Sequence, residues 1–192
     1  FLIYDSGAQS HERVIVFGSD RALQHLSRAR VWYMDGTFET APHLFKQLYV
    51  IRAPAGESSV TCVYAFLSGK SQALYELLFR GLNDHCRSNG YDLEPERIKV
   101  DFEQAVFRAI ASVYGTDVTV SGCYYHLTQS TYRKIQELGL ATQYSNNAEV
   151  HHFCGMLDGL AFLPIDRVSD GMQLLHSLVH KLPQLTPLLE YF

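Results

Sequence analysis

Val31-Trp32-Tyr33-Met34-Asp35-Gly36 is a short apolar run that ends on a carboxylate, and Arg97-Ile98-Lys99-Val100-Asp101-Phe102 repeats the pattern further along the chain. Each reads as a buried strand with an aspartate at its tip. A carboxylate at the end of a core strand is costly to bury without a partner. Two of them on neighbouring strands can share a cation, which removes that cost, and hard divalent ions such as Mg²⁺ prefer oxygen donors. Paired sites of this kind clamp the attacking and leaving oxygens of a phosphodiester. The plainer alternative is that one or both aspartates cap the turn or helix that follows. Spacing alone leaves both readings open.

The segments around the two runs have their own signals. Arg13 to Gly18 reads as a strand, and Ser19 as the N-cap of a short helix carrying Leu23 and Leu26. Phe45 to Ile51 and Val60 to Leu67 are β-rich, with Pro54-Ala55-Gly56-Glu57-Ser58-Ser59 as a turn between them. An antiparallel meander therefore begins at the Asp35 strand. Ser71 caps a helix in which Leu74, Leu77, Leu78 and Leu82 recur at helical spacing. A loop around Asn89-Gly90 leads to the Asp101 strand. A helix from about Glu103 to Tyr114 follows, with Ala105, Val106, Ala109, Ile110 and Val113 on its apolar face. Asp117 to Ser121 is a last strand, and the remainder reads as helix.

The 192 residues are enough for a substantial core, and 47% hydrophobic with 19% charged residues excludes a disordered chain. No apolar run approaches the roughly 20 residues that span a bilayer, so no membrane partner is expected. There is no signal segment and no initiator Met, and the chain is expected to be a piece of a longer protein. Cys62, Cys86, Cys123 and Cys154 are scattered without a Cys-x-x-Cys pair, which points to buried thiols in an intracellular reducing compartment. A net charge of −4 argues against a module that holds nucleic acid mainly through phosphate contacts.

Six stretches carry a resemblance when taken in order. They are Met34-Asp35-Gly36-Thr37-Phe38 with Leu44-Phe45-Lys46-Gln47-Leu48-Tyr49; Val100-Asp101-Phe102-Glu103-Gln104-Ala105; Gly122-Cys123-Tyr124-Tyr125-His126-Leu127-Thr128-Gln129-Ser130; Tyr132-Arg133-Lys134-Ile135-Gln136-Glu137-Leu138-Gly139-Leu140; and Leu160-Ala161-Phe162-Leu163-Pro164. Together they resemble the catalytic domain of Mutator-like (MULE) transposases of the DDE superfamily. The resemblance implies an α/β, ribonuclease H-like fold: a mixed five-stranded sheet with flanking helices, followed by the start of an α-helical insertion. The element order read above agrees. In that fold the first and fourth strands are neighbours, which would set Asp35 and Asp101 face to face across one sheet edge. The expected division is a lead-in over residues 1–30, a catalytic core over 31–131 and a truncated helical insertion over 132–192.

The implied function is metal-dependent DNA cleavage and strand transfer in the complete protein. Asp35 and Asp101 would be the catalytic acids and the ligands of Mg²⁺ or Mn²⁺ in a two-metal site. The implied partners are transposon ends and target DNA, bound through a separate domain, with an oligomer assembling on the DNA in the nucleus. The competing reading is a domesticated, non-catalytic descendant that serves as a DNA-associated or protein-interaction module.

Other residues bear on that choice. The family's third acid is a Glu in an Asn-Asn-x-x-Glu-type segment beyond a helical insertion. Asn146-Asn147-Ala148-Glu149 has only a superficial likeness and lies early in the helical segment, and Glu190 precedes the segment concerned. The third acid is left unassigned, and the chain is expected to end before it and to be inactive alone. Cys123 and His126 belong near the active centre by resemblance. From the residues themselves they are either half of a zinc site with His151, His152 and Cys154, or a buried thiol and a hydrogen-bonded histidine. The spacing fits no standard zinc module, and zinc is not expected. Glu103, at a helix start, is expected to cap rather than to bind metal. Trp32, Tyr33, Phe38, Phe45 and Tyr49 are expected in the core. His43, Lys46 and Arg52 are either DNA contacts or ordinary surface.

Overall fold

Trp32 and Met34 are buried, while Tyr33 is only half-buried and Asp35 is exposed, so their strand presents one face to a core and the other outward. The computed structural model describes residues 1–10 and 12–192, which form two compact units, Phe1–Cys123 and Tyr124–Phe192. The first is a mixed α/β unit: β1 (Leu2–Asp5), β2 (Val14–Phe17), α1 (Asp20–Arg28), β3 (Val31–Thr37), β4 (Gln47–Ala55), β5 (Ser58–Leu67), α2 (Gln72–Ser88), β6 (Arg97–Val100), α3 (Gln104–Tyr114) and β7 (Thr119–Gly122). The second is helical: α4 (Tyr124–Glu137), α5 (Ala141–Asn146), α6 (Ala148–Gly159), α7 (Val168–Val179) and α8 (Thr186–Tyr191), with short 3₁₀ turns between them.

The strands form one seven-stranded sheet in the order β1-β2-β5-β4-β3-β6-β7. The meander β3-β4-β5 is antiparallel, whereas β3-β6 and β6-β7 are parallel pairs, each reached through a helix, as parallel neighbours require. Seven strands replace the five expected. β2 extends the sheet by pairing with β5, Val14 opposite Leu67, and β1 adds to β2. The four residues of β1 are too few to show a period of two, so their state is set by the partner strand and by Tyr4, whose ring lies where a Cβ on Gly81 would be.

Both serine caps read in the sequence are present. Ser19 Oγ accepts from Ala22 N at 3.2 Å, and Ser71 Oγ accepts from Leu74 N at 3.2 Å. Gly56 takes φ 61° in the β4–β5 turn, a left-handed value that glycine adopts without strain. The sheet unit's core gathers Trp32, Ile51 and Val63 from the strands with Leu78 and Phe79 of α2 and Val106 and Ile110 of α3. Each such side chain contributes about 1.5–3 kcal/mol by leaving water. Trp32 also donates its indole N–H to Ala29 O at 3.1 Å, so the largest buried side chain is satisfied. The helical unit has its own core, built on Ile135, Phe153, Leu157, Leu175 and Leu188. Among the described residues no helix is long and apolar enough to cross a membrane.

Candidate active site

The parallel ladder between β3 and β6 pairs Val31 with Arg97, Trp32 with Ile98 and Tyr33 with Lys99. Continued by two residues, that register brings Asp35 level with Asp101, and the period of two puts both on the side of Tyr33 and Lys99. Each carboxylate is steadied by the chain that follows it. Asp35 Oδ1 accepts from Gly36 N at 2.8 Å, and Asp101 Oδ1 accepts from Glu103 N at 3.2 Å.

Asp101 thus closes a tight turn just before α3, and Glu103 does not cap the helix as expected. Glu103 occupies the N-cap position but makes no side-chain cap bond. The Glu103 side chain extends toward α2 instead. There its carboxylate accepts from the Tyr75 hydroxyl at 2.9 Å and lies 3.6 Å from Lys70 Nζ. Tyr75 is fully buried and accepts from Gln47 Nε2 at 2.8 Å; the same amide nitrogen donates to Gly69 O at 3.0 Å. Gln47 is 1% exposed, and a Cβ on Gly36 would run into its side-chain amide. The glycine beside Asp35 is thus required for space, not for an unusual torsion.

Tyr49 completes this layer, its ring centroid 5.2 Å from that of Tyr75. Among the described residues its buried hydroxyl has no hydrogen-bond partner. Burial, followed by the charges of Tyr75, Asp101, Glu103 and Asp35, pushes its pKa well above the ordinary phenol range. Burial likewise raises Tyr75. Both stay protonated, and Tyr75 donates to Glu103.

Of the five aromatics expected in the core, Trp32 and Tyr49 are fully buried and Tyr33 and Phe45 half-buried, but Phe38 is 47% exposed. The ladder ends at Thr37, so Phe38 has no facing strand to bury it, and Lys70 Nζ sits 4.1 Å from its ring centroid. His43 and Lys46 are exposed. Arg52 is committed elsewhere, donating to Ser59 Oγ and Ser59 O, both at 3.1 Å, across the β4–β5 pair. Gln47, Tyr75 and Lys70 were not singled out from sequence. The signal that points to Gln47 is a polar residue at an inward position of the alternating run Gln47, Tyr49, Ile51, Ala53.

Cys123 follows β7, half-buried, and donates its N–H to Val100 O at 2.7 Å, which fixes it at the same end of the sheet as Asp101. His126 lies in the first turn of α4 and is half-buried. His151 and His152 are exposed on α6, whereas Cys154 is buried in the helical core with its thiol pushed up to about 11 by burial. Among the described residues no three His, Cys, Asp or Glu side chains are grouped to hold a metal ion. Glu149 stands exposed in the first turn of α6, where Asn147 Oδ1 accepts from Glu149 N at 2.9 Å and Val150 N at 3.3 Å. Asn147-Ala148-Glu149 is thus accounted for as a helix start with an acid favourable to the dipole. Glu190 is exposed on α8.

Against this geometry stand the comparisons with known proteins. The search of curated proteins finds no match. The family model described as MULE transposase domain matches residues 31–130, from the first residue of β3 into α4, and so takes in Asp35, Asp101, Cys123 and His126. More than half of the sequence is matched, and the chain belongs to the MULE transposase domain family.

Proposed function

We propose that the chain is the catalytic core of a Mutator-like DNA transposase, whose Asp35 and Asp101 hold Mg²⁺ or Mn²⁺ for DNA cleavage and strand transfer. The observation that supports this reading is the parallel β3–β6 ladder with Tyr33 opposite Lys99, which, carried on by two residues, would set the two aspartates level. We read β3 to β7 as a ribonuclease H-like sheet, supported by the order β5-β4-β3-β6-β7, and residues 132–192 as the start of a helical insertion. In the complete protein the partner is DNA, met in the nucleus and recognised through a separate domain.

The donor set fits a hard cation. Two short carboxylates on neighbouring strands offer oxygen ligands, and each has one oxygen fixed by a backbone N–H, the kind of support that orients metal ligands. When bound, the divalent metal supplies charge neutralisation at the phosphate and activates the attacking oxygen. The chain's own residues do the rest by positioning, which carries much of phosphoryl-transfer catalysis. Asp35 and Asp101 hold their oxygens at the sheet end, Gly36 N–H and Glu103 N–H fix their orientation, and the Gln47–Tyr75 pair makes the layer beneath rigid.

The test is Mn²⁺ binding to the 192-residue chain, followed by calorimetry. Weak binding is expected, because two carboxylates make an incomplete site. Asp35→Asn and Asp101→Asn should each lower the affinity by at least about tenfold, since losing even a supporting partner costs a metal site about 10–100-fold. Equal affinity in the unaltered chain and Asp35→Asn overturns the assignment. The alternative is the non-catalytic, DNA-associated descendant. Metal-dependent nicking of supercoiled plasmid by the complete protein, lost in Asp35→Asn, separates the enzyme from that alternative.

A further inference from the structure

The carboxylate edge carries cations that the metal reading does not use. β4 is antiparallel to β3 and β5 antiparallel to β4, so the start of β4 and the end of β5 share one sheet end with Asp35 and Asp101. Lys46 immediately precedes β4 and is fixed there by its N–H, which donates to Leu67 O at 2.8 Å. Lys70 follows β5 and is held twice, 4.1 Å from the Phe38 centroid and 3.6 Å from Glu103 Oε2.

Behind Glu103 stands a buried chain of donors, Tyr75 at 2.9 Å and Gln47 at 2.8 Å from the Tyr75 oxygen. A partly exposed ion pair such as Lys70–Glu103 contributes at most about 1 kcal/mol, which gives little reason to bury an amide and a phenol behind it. A cation held above an exposed aromatic ring suits a phosphodiester and its base: the charge takes the phosphate and the ring takes the base face. On the far side of the edge the cation Arg13 is already paired with Asp5 at 3.0 Å.

We propose that Lys70 and Phe38 form a DNA-backbone contact beside the two aspartates, continued by Lys46, and that Glu103 is the resident partner of Lys70 that a phosphate displaces. The inference rests on the reading of this edge as a DNA-cleaving site, although the contact itself needs no metal. It also explains why Glu103 carries its charge toward Lys70 instead of capping α3.

The test is binding of the 192-residue chain to a short mixed-sequence duplex and to its single strand, without metal, across a salt series and followed by fluorescence anisotropy. Lys70→Gln should weaken duplex binding about threefold to tenfold and reduce the slope of log affinity against log salt by about one, as loss of one phosphate contact does. Phe38→Ala should weaken single-strand binding about fivefold or more, the low end of what base stacking contributes. Glu103→Gln keeps an acceptor for the Tyr75 hydroxyl and should tighten duplex binding severalfold, and that gain should vanish in the Lys70→Gln background. A gain that persists without Lys70 is a general charge effect and overturns the exchange. An unchanged salt slope in Lys70→Gln overturns the contact. A lost slope in Lys70→Gln with unchanged Mn²⁺ affinity in Asp35→Asn supports the contact and overturns the metal reading; the reverse result does the opposite.

Discussion

Gln47 in the sheet unit and Thr131 in the helical unit are each 1% exposed, yet they are satisfied in different ways. Gln47 donates inward to Gly69 O and to the fully buried Tyr75, and through Tyr75 reaches Glu103 and Lys70. Thr131 donates to Asp158 at 2.5 Å and to Leu127 O of its own helix at 3.2 Å. Several other acids of the helical unit are matched locally: Glu149 by the start of α6, Glu137 by Lys134 and Asp170 by Arg167. A buried polar side chain is costly unless matched; the matching of Gln47 draws in β4, α2 and α3, whereas that of Thr131 joins α4 to α6 and stops at Asp158. The Gln47 network lies at the end of the sheet that carries Asp35 and Asp101. Buried polar connectivity, more than exposed charge, marks the candidate site.

The comparison can be sharpened first at its background. Phe79 and Phe153 are fully buried in the sheet core and the helical core respectively. Truncation of either to alanine should cost about 3–5 kcal/mol, read from amide exchange of the protected helices of its own unit. A far smaller cost at Phe153 would show that the helical unit is loosely packed, and the contrast in polar satisfaction would then lose its meaning.

Gln47→Leu should cost about 1–3 kcal/mol by chemical unfolding, because it strands Gly69 O and takes away the donor to the Tyr75 hydroxyl. Thr131→Val should cost less, since the half-buried Asp158 can recover a partner from water. Equal costs would break the comparison. Asn147→Ala tests the local account of Glu149 by removing the cap of α6, and should cost about 1 kcal/mol in helix stability. No loss of stability there would reopen Glu149 to another role.

The smallest effect concerns pH. Burial raises the pKa of Asp158, against the lowering effect of the Thr131 hydrogen bond. The folded state therefore holds a proton that the unfolded state has already released as pH rises past the ordinary carboxylate value of 3.8. Stability falls as pH climbs from there through the raised folded value, and the penalty stays at neutral pH. Asp158→Asn, which keeps an acceptor for Thr131, should remove that slope and slightly stabilise the helical unit at pH 7, measured as thermal midpoints across pH. A midpoint that falls at pH 7 would mean that the carboxylate charge is favourable there, contrary to the desolvation argument.

Much of the sheet was legible because its signals are local. Val31–Thr37 alternates, Ser19 and Ser71 sit one residue before apolar helices, and Gly56 marks the turn between β4 and β5. β1 escaped because four residues carry no period, and Phe38 was misplaced because an alternating pattern does not say where a ladder stops. Glu103 was misread because helix-start statistics weigh position, while its side chain found a partner on α2.

The sequence by itself determined which residues could carry the chemistry. Two strand-end aspartates, the stretches around them and the family they belong to are properties of chain order, fixed by short-range pattern and motif spacing. Only the tertiary structure decided that β3 lies parallel to β6 with Tyr33 opposite Lys99, that Gly36 is a glycine to leave room for Gln47, and that Glu103 turns to Tyr75 and Lys70. The physical reason is distance along the chain. Register between strands, close packing against a missing Cβ and the pairing of buried polar groups are settled by partners many residues away, whose approach is dictated by burial of the whole core rather than by any local preference.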